Sequence, residues 1–120
     1  GREVELHAVG CDAGGATFAV LHADLGDPSR AGQALAHWNE ATLANMKAGP
    51  AQAHPFLPTG ATPLPASQRV AATGRRADGS AVQGEAAYFA QGGRVFQAVV
   101  YAGTLRAEST QPFFEGLKFP

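Results

Sequence analysis

Among the side chains of this 120-residue chain that could do chemistry are four histidines, a single cysteine and a row of polar groups on its most regular strands. His7, His22, His37 and His54 do not sit at the helical i, i+4 spacing that a zinc site uses, and no cysteine pair accompanies them. His7 and His22 fall on neighbouring apolar-polar segments and share one face with Glu5 and Asp24. That grouping suggests a weak metal or proton site; the plainer account is a solvated strand face with one Glu5–His22 pair, worth roughly 0.2–1 kcal/mol. Cys11 follows Gly10 and precedes Asp12, with no cation beside it to lower its pKa. Ser29, Ser67, Ser80 and Ser109 lack the G-x-S-x-G elbow that activates a nucleophile. Arg75-Arg76 sit at a turn and read as a solvated tip sooner than an anion site. These residues give no catalytic set, no metal set and no cofactor motif.

The candidate binding residues are Arg69, Tyr88 and Gln97. They come from the segments "SQRVAATGRR", "SAVQGEAAYFA" and "RVFQAVVYA". Asp78-Gly79 and Gly92-Gly93 read as two-residue hairpin turns between them. A phosphate cradle at Gly92-Gly93 would need a helix to begin just after it, and "RVFQAVVYA" is strand-like instead. Chaining the two turns aligns Arg69, Tyr88 and Gln97 across three strands, on a mixed face with Ala71, Ala86, Val99 and Tyr101. Arg over Tyr is a cation–π pair, and Gln adds an amide donor and acceptor. Such a row suits a peptide or a small polar ligand, unless the long helix or the proline-rich connection covers it. The opposite face collects Val70, Ala72, Ala87, Phe89, Phe96, Ala98 and Val100 and is the better core, on which both helices are expected to rest.

The remaining elements must position these strands. "EVELHAVG" alternates from Glu3 onward, and "TFAVLHADL" follows across the turn "CDAGGA". Ala8 opposite Ala19 would bring Leu6 to Leu21 and Glu5 to His22. Asp27 and Pro28 start a long helix, Ala31, Leu35, Trp38, Thr42 and Met46 form its apolar stripe, and Gly49-Pro50 stop it. Residues 50–66 carry prolines at 50, 55, 58, 63 and 65, which exclude helix and allow pairing only at the margins. That connection is expected to lie extended over the surface, anchored by Phe56 and Leu57. The tail "RAESTQPFFEGLKFP" reads as a short closing helix with Pro112 in its first turn, docking Phe113, Phe114 and Leu117.

Composition bounds the function. Charged residues are 16% and hydrophobic residues 45%, which indicates a single globular domain over residues 1–120. A net charge of −1 supplies no field for nucleic acid or an anionic membrane. Abundant Gly, Ala and Arg with little Lys point to GC-rich coding and a bacterial source. A strand at Glu3 implies an upstream segment removed by processing or by the choice of the expressed piece, so that any membrane link runs through a leader or lipid anchor.

Strand, strand, helix, long connection, three-strand meander and closing helix is an order that resembles the DcrB/PsbP-type domain. "GATFAVLHADL" is similar to that family's apolar strand before the long helix. "AYFAQGGRVFQAVV" is similar to its Gly-turn hairpin, and "QPFFEGLKF" to its closing segment. The family's usual opening strands and the Gly before its first meander strand are not evident here. The resemblance implies an antiparallel sheet with packed helices, a periplasmic or cell-envelope location, and binding, chaperone-like or accessory roles. It carries no shared catalytic residues.

The reading is therefore an α+β domain with an antiparallel sheet of five strands or more, one long helix and a C-terminal helix. Its expected role is a non-enzymatic, extracytoplasmic accessory or binding domain for a protein or small polar ligand. A chaperone or adaptor that docks a partner's apolar segment is the alternative, and a small enzyme stands third. An exposed apolar groove beside the long helix would favour the adaptor. A deep pocket with convergent titrating groups would favour the enzyme.

Overall fold

A computed structural model describes residues 5–119. The strands are β1 (Leu6–Ala13), β2 (Ala16–Asp24), β3 (Gln52–Pro55), β4 (Gln68–Arg75), β5 (Ala81–Gln91) and β6 (Arg94–Ala102). The helices are α1 (Ala31–Asn45), entered through a 3-10 turn at Pro28–Arg30, and α2 (Ala107–Glu115). The fold is α+β. All strands join one antiparallel sheet in the order β1-β2-β6-β5-β4-β3.

The two helices lie on opposite faces, not on one. Beneath α1, Ala31 and Leu35 pack on Val70, Ala86, Tyr88, Ala90, Val95 and Val99. On the other face Phe114 of α2 packs on Ala87, Phe89, Ala98 and Val100, with Phe56 and Phe119 beside them. Both sides of β5 and β6 are therefore core, which explains why these strands read as nearly continuous apolar runs.

Two of the three hairpins differ from expectation in register. Gly14 and Gly15 alone make the first turn, with φ 58° and 82°. Ala8 then faces Leu21, and His7 faces His22. The shift from the expected Ala8–Ala19 pairing is two residues, so each side chain keeps its face. Between β4 and β5 the loop spans residues 76–80, because Arg75 pairs with Ala81. Asp78 accepts hydrogen bonds from Ser80 N and Oγ at 2.9 and 2.6 Å, and only Gly79 has a positive φ. That register is one residue away from the two-residue turn, and a one-residue shift exchanges the faces of β4. Val70 goes under α1 and Arg69 goes under α2. Gly92-Gly93 does turn between Gln91 and Arg94, with φ 59° at Gly92.

Helix ends follow local chemistry with one exception. Asp27 Oδ1 accepts from Ser29 N at 2.9 Å, capping the entry to α1. At the exit Lys47, not Gly49, takes the left-handed backbone (φ 51°). This directs residues 46–49 along β4, where Arg75 N donates to Met46 O at 2.7 Å and Gly49 N to Thr73 O at 3.1 Å. Pro112 lies inside α2, not in its first turn. Its missing N–H leaves only the carbonyl of exposed Glu108 without a helical partner, on the solvent side. Phe56 anchors the proline-rich connection edge-on to Phe89 and Phe114. Leu57 does not, being 53% exposed. The expected strand start at Glu3 and Val4 lies outside the described residues.

Candidate functional site

The expected row Arg69–Tyr88–Gln97 is not formed, because the β4 register places Arg69 on the face opposite the other two. Tyr88 and Gln97 do pair across β5 and β6. Gln97 Nε2 donates to Tyr88 Oη and to Thr42 Oγ1 of α1, each at 2.9 Å. Tyr88 and Gln97 are 1% and 3% exposed, so α1 seals them from solvent. Burial pushes the Tyr88 phenol above the ordinary tyrosine value, partly offset by hydrogen bonds with Thr42 and Gln97. Burial also pushes up Tyr101, with the nearby Tyr88 adding to the shift. Together they form a polar tie between helix and sheet.

Arg69 is held on the other side. Its Nε donates to Glu85 Oε1 at 2.6 Å, and its Nη1 reaches Gln111 of α2 at 3.4 Å. Its guanidinium lies 4.3 Å from the Phe114 ring centroid. The cation–π partner is thus Phe114, not Tyr88. The Glu85 contact ties β4 to β5, and the Gln111 and Phe114 contacts dock α2 on them.

The histidines assemble a third feature. His7 and His22 stack directly across β1 and β2 with centroids 4.9 Å apart, and His22 stacks on Phe96 at 5.7 Å. Phe96 stacks on Phe89 at 5.2 Å. The expected Glu5–His22 pair is replaced by Glu5 beside His7, with 3.9 Å between Oε2 and Nε2. Among the described residues no three His, Cys, Asp or Glu side chains converge on one point. Cys11 is exposed on β1.

A concave surface lies beside α1, where the helix stops short of β1. The groove has a volume of about 610 Å³. Ala23, Leu25 and Val95 form its floor, Trp38 its helix wall and Leu6 its outer lip. Arg30, Gln33 and His37 stand on its rim, and among the described residues no acidic side chain lines it. Trp38 is fixed edge-on against Tyr88, with centroids 6.4 Å apart. Leu6 is 56% exposed. The groove exists because α1 is centred on β5 and β6, covers the apolar face of β2 only in part and leaves that of β1 exposed. Sequence reasoning missed it as a site. Its signal was the alternation of Leu6, Leu21 and Ala23 along the first two strands.

No family model and no curated protein matches the chain. Among solved structures the chain is similar to PA94 from Pseudomonas aeruginosa, a protein of unknown function named as a candidate regulator. The TM-score is 0.51 at 12% identity, over 99% of this chain and 85% of that one. The likeness is one of fold.

Proposed function

We propose that this domain is a non-catalytic binding module, an adaptor or accessory domain whose groove beside α1 docks an apolar segment of a partner protein. The observation that carries the reading is the open groove floored by Ala23, Leu25 and Val95 and walled by Trp38. An exposed apolar concavity of this kind gains free energy by burial, at about 25 cal/mol per Å². Charge narrows the occupant. Arg30 stands at the rim, and among the described lining residues no carboxylate faces it, so the fitting segment is apolar and carries a carboxylate near its end. The family resemblance adds a cell-envelope location to the proposal, testable by fractionating the native host.

Trp38 is the only tryptophan in the chain, so its emission reports the groove directly. The probe is a leucine-rich peptide bearing one glutamate, compared with the same peptide bearing lysine. The glutamate peptide should shift Trp38 emission to the blue and bind more tightly, and Arg30→Glu should invert that preference. Leu6→Asp should weaken both peptides. Unchanged Trp38 emission at saturating peptide, or equal binding by Leu6→Asp, would sink the proposal.

A further inference from the structure

The two edges of the sheet are built differently. β3 is only four residues long and ends in Pro55. The rest of the β4 edge is closed by residues 46–49, through the Met46 and Gly49 hydrogen bonds. Short strands and prolines block pairing with another chain. β1 has neither device. It runs for eight residues, all exposed, and contains no Lys, Arg, Glu or Pro; Asp12 is its only carboxylate. Val9 at mid-strand is 77% exposed. The two-residue turn makes Ala13 and Ala16 a hydrogen-bonded pair, so alternation points the backbone N–H and C=O of Leu6, Ala8, Gly10 and Asp12 outward.

We infer that β1 pairs antiparallel with β1 of a second copy, about a two-fold axis at Val9, joining the two sheets into one. The strand is compatible with itself in that register. Ala8 faces the second copy's Gly10, His7 faces its Cys11, and Leu6 faces its Asp12. The two Asp12 carboxylates stay apart, and the two Val9 side chains cover each other. With one open edge and one blocked edge per copy among the described residues, the assembly closes as a dimer and does not extend into a fibre. The axis is perpendicular to the sheet, so both grooves open on the same side and flank the new strand pair. The pairing holds whatever the grooves bind.

The register has a covalent signature. Outward hydrogen bonds at Ala8 and Gly10 make Val9–Val9 a non-hydrogen-bonded pair with Cα atoms about 4.5 Å apart. That separation lies within the disulfide range of about 4.4–6.8 Å. The two Cys11 residues are four positions out of register, about 14 Å apart, and cannot bridge. Sedimentation of the full chain should give twice the 12.3 kDa chain mass. Val9→Lys sets two ammonium groups face to face and should raise the dimer dissociation constant about 100-fold, with circular dichroism and melting of the monomer unchanged. Under mild oxidation Val9→Cys/Cys11→Ser should form a disulfide dimer while the wild type does not. A wild-type monomer up to millimolar concentration overturns the inference. So does a dimer indifferent to Val9→Lys, or wild-type cross-linking through Cys11 where Val9→Cys/Cys11→Ser fails.

Discussion

Gly74→Ala is the substitution that best tests how α1 is seated on the sheet. A Cβ at Gly74 would lie 2.1 Å from Met46 O, 2.9 Å from Met46 C and 3.0 Å from Met46 Cβ. The first two are backbone atoms that no rotamer change can move. An ordinary carbon–oxygen approach is about 3.3 Å or more, so the chain at Met46 must retreat by more than about 1 Å. That retreat stretches the Arg75 N to Met46 O bond, now 2.7 Å, and the Gly49 N to Thr73 O bond beside it. Each such bond contributes about 0.5–1.5 kcal/mol net, and forced overpacking adds about 1–3 kcal/mol. Alanine returns about 0.4–1 kcal/mol by restricting the unfolded chain. The net loss should be about 1–5 kcal/mol, read as a lower urea midpoint at unchanged m-value. Gly49→Ala is the control: nothing lies within 4 Å of its Cβ position, so stability should hold or rise by up to about 1 kcal/mol. If Gly74→Ala unfolds within about 0.5 kcal/mol of wild type, the seating of α1 described above is wrong.

Other perturbations probe the two cores. Phe114→Ala, at a fully buried ring, should cost about 3–5 kcal/mol by urea unfolding. Gln97→Leu removes the donor shared by Tyr88 and Thr42 and should cost about 1–3 kcal/mol, again by urea unfolding. Lys47→Gly relieves a left-handed backbone and should raise stability by up to about 1 kcal/mol, seen as a higher midpoint. Because burial raises the Tyr88 and Tyr101 phenols, their neutral forms favour the folded state. That stability is full below the unfolded tyrosine pKa of about 10 and is lost as pH rises through the folded values. Phenolate absorbance and unfolding should therefore advance together in alkali.

The sequence by itself determined the elements, because their signals are local. Paired glycines demand turns, one within residues 11–16 and one at 92–93, Asp27-Pro28 starts a helix, and β-branched and aromatic runs make strands. The α+β class and the hairpin pairing of Tyr88 with Gln97 follow from these signals. Tertiary structure alone decided the phase of β4. Residues 76–80 close by an Asp78–Ser80 side-chain turn instead of a tight Asp-Gly turn, and the longer loop shifts the register by one, which exchanges the faces of a period-two strand. Arg69 thereby left the proposed row for Glu85 and Phe114. Both faces of β5 and β6 are apolar, so composition did not dictate which helix covers which, and packing sent α1 and α2 to opposite sides. The groove and the open β1 edge are what that division leaves uncovered: one long helix spans the middle of six strands, reaches β2 only in part and stops short of β1.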